Sequence, residues 1–377
     1  MALPEQSFGQ TTTTPTQTAD TVLDNTPFVS TRAAAMGGAL STVADDLDAL
    51  YYNPAMIGGL GYEGKSQNAS VWRGVYFPYV GVSENQNAAK TRQELSASGA
   101  QSDAGAGAAV MDANSGKRQY ARASFIPIGL VFGRLAIAPV IDQQLAAVSV
   151  ADSPGDVNMR YRTFNGLMVG TSVADNQNRL SLGVSQAIGT IEETNGTFQY
   201  LDMVDADERK SILSDNRKTY AAKSTNVGIT VRIPKSLTPS FSVTARNMGN
   251  TKNIAKSTGD DPLEYPEDLT AGVSISPEIG KIGRLNVAIE AGYLTQKEMA
   301  SVKKFRGGVE LLLFGDDAHS VLGLRAGGNA AGASYGAHLN LGLIGAGFES
   351  HAVDIGINNE RVIERRQSAV VFINVAP

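Results

Sequence analysis

From about Lys65 to the C-terminus, apolar and polar residues alternate with a period of two. In "TNVGITVRI", Val227, Ile229, Val231 and Ile233 fall on one side, with Asn226, Gly228, Thr230 and Arg232 on the other. "SFSVTARN" sets Phe241, Val243 and Ala245 against Ser242, Thr244 and Arg246. "RLNVAIEAGYL" sets Leu285, Val287, Ile289 and Tyr293 against Asn286, Ala288, Glu290 and Gly292, and "SAVVFINVA" repeats the pattern at the C-terminus. Such alternation marks strands with one apolar face. About fourteen segments read this way, at hairpin spacing. Several alternate for about nine or ten residues, enough to cross a bilayer when tilted.

The N-terminal part follows another rule. Between Phe28 and Tyr51, the residues Met36, Leu40, Val43, Leu47 and Leu50 recur at steps of three and four, which predicts a helix with one apolar stripe. Gly37-Gly38 weakens that helix, and Asn53-Pro54 stops it, because the residue before proline is pushed out of the helical region. A unit this small cannot bury its own stripe, so it must pack against something larger. Residues 1–27, with "TTTTPTQTAD", read as a flexible arm.

Connections between strands alternate in length. Glu84–Arg118, Ile191–Ala222 and Gly249–Asp268 are long, and Ala151–Asp156, Thr295–Val302, Gly327–Ala333 and Val353–Arg365 fall at the same end. Gly133-Arg134, Asp175–Asn178, Pro234–Leu237, Pro277–Gly283, Gly315–Asp317 and the turn near Gly342 are the short partners. A meander with one long-loop end and one short-turn end is the pattern of an outer-membrane barrel, with both chain ends on the periplasmic, short-turn side. Sandwiches use strands of about five or six residues, and propellers repeat at about 40–50 residues. Neither pattern is visible.

Composition narrows the picture only a little. The chain has 377 residues, 40 glycines, one tryptophan, no cysteine and a net charge of −5. Without cysteine there are no disulfides and no Cys-ligated zinc. The acidic balance, with no basic stripe, argues against nucleic acid. No apolar run reaches about 18 residues, so no transmembrane helix is expected. "MALPEQSFGQ" lacks the basic start and apolar core of a signal peptide, so an exported chain would begin here at a processed or engineered end. A soluble globular protein and a membrane barrel both fit this composition; alternation favours the barrel.

In a barrel, the polar face of each strand points into the lumen. That face carries Arg232, Arg246, Glu290, Arg306, Glu310 and Arg325, with Glu290–Arg306 and Glu310–Arg325 placed to pair across neighbouring strands. Their confinement to one parity fits a barrel, since a charge on the lipid face costs about 2–4 kcal/mol at mid-depth. These charges either bind a plug or an anionic ligand head, or form a lattice that holds the wall in shape. Tyr293, Phe305 and Phe314 lie near strand ends, where aromatic girdles occur. "GASYG" at Gly332–Gly336 matches G-x-S-x-G, but Ser334 leads into a strand rather than a helix, so a nucleophile elbow is not expected. "GGNAAG" lacks the helix of a phosphate loop. His319, His338 and His351 have no metal-ligand spacing, so neither metal nor cofactor is expected. The charged stretch "YLDMVDADERKSILSDN" (Tyr200–Asn216) suits a short helix in an outer loop.

"TRAAAMGGALSTVADDLDALYYNPAMIGGL" resembles the N-terminal signature of the FadL-like outer-membrane transporters and the related PorV-type barrels. The matching elements are Gly37-Gly38, Ala44-Asp45-Asp46 and Asn53-Pro54-Ala55. The resemblance implies an all-β fold, an antiparallel transmembrane β-barrel of about fourteen strands, with a small N-terminal helical plug in its lumen. It divides the chain into the arm (1–27), a plug (28–64) and the barrel (65–377). It implies plug or ligand contacts for Asp45, Asp46, Asn53, Pro54 and Ala55. One departure is Met56, where the family usually has glycine. The implied functions are passive passage of hydrophobic molecules such as long-chain fatty acids, or binding of a protein partner at the long loops or at the arm on the periplasmic side. Both place the protein among outer-membrane lipids, and neither makes it an enzyme.

Overall fold

The computed structural model describes residues 22–44, 46–57, 72–98, 104–150, 153, 155–175, 179–256, 261–314, 320–356 and 361–375. Fourteen antiparallel staves form one closed sheet. They are β1 (Trp72–Asn85), β2 (Gln119–Ile126 with Gly129–Phe132), β3 (Leu135–Ser149), β4 (Asp156–Ala174), β5 (Leu180–Gln199), β6 (Arg217–Arg232) and β7 (Ser240–Arg246 with Thr251–Ala255). Then come β8 (Leu263–Tyr265, Asp268–Ile275 and Glu278–Ile279), β9 (Gly283–Ala291), β10 (Phe305–Leu313), β11 (Leu322–Asn329), β12 (Gly332–Leu341), β13 (Ile344–Asp354) and β14 (Ile363–Val375). Each stave pairs with the next, and β1 closes the ring on β14 from Val75↔Val375 to Asn85↔Arg366. Closure leaves no unpaired edge, which a sheet within hydrocarbon requires.

The two faces of the wall are inverted relative to a soluble protein. Inward positions are polar and buried, such as Ser240, Ser242, Thr244 and Arg246 on β7. Outward positions are apolar and exposed: Val173 at 64 %, Ile289 at 57 % and Val371 at 53 %. A continuous apolar exterior around a polar lumen belongs against lipid. Phe305 and Phe314, at opposite ends of β10, are exposed and fit the expected girdles. Tyr293 does not join them. It is only half-buried beyond β9, with its amide donating to Asp268 Oδ1 at 2.8 Å.

The alternation of connection length holds in part, with shifted boundaries, and fails at the β11–β12 hairpin. The segment expected as a loop at Ile191–Ala222 is part wall at both ends. β5 runs to Gln199 and β6 starts at Arg217. β4 and β5 have 19 and 20 residues, while β10 and β11 have 9 and 8. One side of the barrel therefore stands well above the other. The expected loop Gly327–Ala333 is a tight hairpin, in which Asn329 Oδ1 accepts the Ala331 amide at 2.9 Å. The long connections carry five helices: α3 (Gln86–Ala97), α4 (Ala104–Ala113), α5 (Tyr200–Val204), α6 (Ala206–Asp215) and α7 (Ser301–Lys304). Met111, Tyr200, Met203 and Leu213 pack α4, α5 and α6 onto Ala147, Val157 and Met159 at the tall side.

The helical pattern over residues 28–51 is interrupted at the glycine pair expected to weaken it. The plug forms α1 (Thr31–Ala35), α2 (Ala49–Tyr52) and a 3₁₀ turn at Pro54–Met56. Gly37 and Gly38 break it, with φ of 66° and 94°, conformations that only glycine adopts cheaply. All five residues of the predicted stripe are buried, and so are most of their neighbours, because the lumen surrounds the segment on every side.

Candidate functional site

Three layers of contact hold the plug, and the first two involve residues singled out in the sequence. Deepest lies the Asn53-Pro54-Ala55 turn. Asn53 is fully buried; its Oδ1 accepts the Ala55 amide at 3.0 Å, and its Nδ2 donates to Ser41 O at 2.6 Å and Thr230 Oγ1 at 2.8 Å. Two register-paired glycines, Gly183 on β5 and Gly228 on β6, leave the notch it occupies. A second pair, Gly308 and Gly327, takes the turn at Met36-Gly37 in the same way. Met56, the departure from the motif, is buried and accepts Arg232 Nη2 on its Sδ at 3.7 Å.

The middle layer is electrostatic. Glu310 accepts Arg32 Nη2 at 2.7 Å, Arg325 Nε at 2.7 Å and Asn286 Nδ2 at 2.7 Å. Arg32 also meets Asp46 at 3.2 Å. Glu290 pairs with Arg306 at 2.9 Å and accepts the Ser41 amide. Arg246 pairs with Asp268 and lies over the rings of Tyr51 and Tyr52, at 5.1 and 5.4 Å. The two tyrosines before the Asn-Pro step thus cap a lumen cation, and burial pushes the Tyr51 hydroxyl up to about 12. Asp45 lies outside the described residues. The others of the predicted set are in the plug or on the β6, β7, β9, β10 and β11 wall, spread over the first two layers rather than one pocket.

Asp48, which sequence reasoning passed over, accepts Ser30 Oγ at 2.8 Å. Burial, and then the neighbouring Asp46 charge, hold its carboxyl well above the ordinary range. A raised folded-state value means that the stability from the neutral form is complete below the unfolded value of about 4 and is lost as pH rises through the folded one. Asp48→Asn is therefore expected to raise the thermal unfolding midpoint at about pH 8 and to leave it unchanged near pH 4. A scan in detergent at both pH values checks this, and equal shifts would contradict it.

The upper layer was not anticipated. Residues 22–27 were expected in a flexible arm on the short-turn side, yet they lie inside the barrel toward the long-connection end. Leu23 is buried, and Val22 O accepts from Arg118, just before β2. Asp24 gathers Arg366 at 2.8 Å, Tyr120 Oη at 2.8 Å and Arg122 at 3.2 Å. Burial alone would raise its carboxyl, but Arg366 and Arg122 pull it well below the usual range. Gln144 holds both Asp24 backbone groups, at 2.8 and 3.0 Å, and Arg122 holds Thr26. The segment forms a strap across the lumen.

Beneath the strap lies a partly open cavity against the tall wall. Its apolar side is Phe164, Ala187, Ile191 and Ala222, with Tyr51 and Tyr265 beside them. Its polar side is Arg162, Gln144, Asn226, Asn247 and Asn253. None of the predicted charged residues lines it. The signal that was available is the run of small residues at Ala187 and Ala222, which leaves space opposite the plug. Ser334 of "GASYG" is buried within β12, with no elbow or helix after it. His319 lies outside the described residues, His351 contacts Glu349 at 2.8 Å, and His338 contacts Ser320 at 3.2 Å. Among the described residues no group of side chains is arranged for a metal.

No protein-family model and no curated protein matches the chain. Solved structures do. A TodX monoaromatic hydrocarbon channel variant aligns with a TM-score of 0.52 and 10 % identity, over 93 % of this chain and 99 % of that one. The toluene transporter TbuX of Ralstonia pickettii aligns at 0.48 and 11 % identity, over 93 % and 99 %. A FadL homologue from Pseudomonas aeruginosa aligns at 0.36 and 10 %, over 93 % and 98 %. The first of these, with the closed fourteen-stave ring and the plug inside it, gives this chain a FadL-like barrel fold.

Proposed function

We propose that the protein is an outer-membrane barrel through which hydrophobic small molecules pass without energy input, long-chain fatty acids or compact hydrocarbons among them. The cavity beneath the strap carries this reading. It is apolar on one side and has a few convergent polar groups on the other, the make-up of a small-molecule site. That lining suits an amphiphile or a flat hydrocarbon. The long-connection end faces outward and the short-turn end faces the periplasm.

Ala222 lines the cavity and is nearly buried, so a large side chain there takes up its volume. Ala222→Trp is expected to lower uptake of a labelled hydrocarbon or fatty acid into expressing cells roughly tenfold. Heat-dependent gel mobility would show whether the barrel still closes. Normal uptake in a closed Ala222→Trp barrel would sink the proposal.

A second reading, a barrel that binds a protein partner, draws support from the helices of the long connections. α6 exposes Asp207, Glu208, Arg209 and Lys210 above the tall wall. Deleting residues 205–215 separates the two readings: uptake survives under the first, and co-purification of a partner is lost under the second.

A further inference from the structure

We propose a binding site for the phosphorylated head group of an outer-leaflet lipid on the outer surface of the barrel, at the low rim of β12–β14. This rests on the outer-membrane reading above. On β14, Glu364, Arg366 and Ser368 are buried in the lumen, so Arg365 and Gln367 face outward. The apolar band on this wall ends at Val82, Ala369 and Phe348, which are register neighbours. One step further out the outward residues turn polar: Glu84, Gln367 and Ser350 form the next register row, and Arg365 lies beyond it. Tyr335, paired with Ser350, is 54 % exposed at the same boundary. Rings of this kind sit at head-group level.

Two arginines meet there on one hairpin. Arg361 Nη2 donates to Ala330 O at 2.8 Å, and Arg365 Nη1 donates to Ala333 O at 2.7 Å. Arg365 Nε also donates to Ser350 Oγ at 2.9 Å, and its guanidinium stacks over Tyr335 at 5.4 Å. All of these partners are neutral. The acids nearby have cations of their own: Glu84 pairs with Arg92 at 2.8 Å, and Asp354 with Lys303 at 2.9 Å. Among the described residues, two guanidinium charges therefore lack a counter-ion at the height where lipid phosphates lie. Each keeps further N–H donors beyond those it uses. The planar fork is held flat against the wall by ring, hydroxyl and carbonyl, which suits recognition of phosphate oxygens. The apolar surface just below, Phe348 and Val371, offers the acyl chains of the same lipid a place to lie.

The test uses the full chain in phosphatidylethanolamine nanodiscs doped with a phosphorylated glycolipid, read by native mass spectrometry. Wild type is expected to retain the phosphorylated glycolipid and not its phosphatase-treated form. The double variant Arg361→Ala/Arg365→Ala should retain about tenfold less, and Arg365→Lys an intermediate amount, since a lysine keeps charge but not the fork. Equal retention by the double variant, or of the dephosphorylated lipid, would overturn the site. Displacement by inorganic phosphate would reassign it to a free anion and also overturn it. Hydrocarbon uptake is scored separately, so failure of this site and failure of the transport reading are distinct results.

Discussion

Glu310→Gln is expected to loosen the plug by about 3–5 kcal/mol, the usual cost of removing one member of a buried charge cluster. Glu310 is fully buried and is the common acceptor for two guanidinium groups, Arg32 from the plug and Arg325 from β11. Neutralising it deprives two buried cations of the carboxylate they share, although Asp46 still meets Arg32. The amide also turns an N–H toward one of the arginines, so a hydrogen bond is lost as well as a charge. Limited proteolysis of the closed barrel reads the result: cleavage within residues 28–57 should appear in the variant and not in wild type. The combined variant Arg32→Met/Glu310→Leu/Arg325→Met removes these three charges at once and should recover most of the protection, because buried ion clusters exchange nearly evenly with apolar groups of similar size. Single and triple variants that are both protected would show that the glycine notches hold the plug and the charges do not.

The wall members of that cluster were legible in the sequence, and the plug member was not. Glu310 and Arg325 occupy inward positions of consecutive strands, and a period of two with short hairpins brings such positions into register. The same logic places Glu290 opposite Arg306. Arg32 lies 278 residues from Glu310 in a segment with no strand period, so nothing local announces the contact. The strap is a similar case, since Asp24 meets Arg366 across 342 residues. The upper parts of β5 and β6 were missed for another reason. Above the lipid, both faces of a strand can be polar, and "ETNGTFQ" and "RKTYAAK" lose the alternation that marks a membrane strand. The extent of helix in the plug was overestimated because a lumen buries every side, so apolar residues need not follow a helical stripe. The cavity is formed by what is missing, small side chains on β5 and β6 facing the plug, and missing volume leaves only a faint pattern in sequence.

Gly228→Val combined with Gly183→Val is expected to have the other large effect, on closure of the lumen. These two glycines are register partners, and the Asn53-Pro54-Ala55 turn lies directly on them. A Cβ on Gly228 would collide with Asn53 Oδ1, and one on Gly183 with the Pro54 carbonyl, which is backbone and cannot swing aside. Asn53 would have to leave Ser41, Thr230 and Ala55 together. Stranding those groups costs about 1–3 kcal/mol each, more than a short turn can offset. The barrel has its own continuous ladder and should survive, while the short-turn end of the lumen opens. In planar bilayers the double variant is expected to show discrete ion conductance where wild type shows little. Gly307→Ala is the matched control, because an added Cβ there meets nothing closer than 3.5 Å. If the double variant is as closed as Gly307→Ala, the turn does not seal the barrel, and the route to the periplasm must be blocked by the charged layer above it.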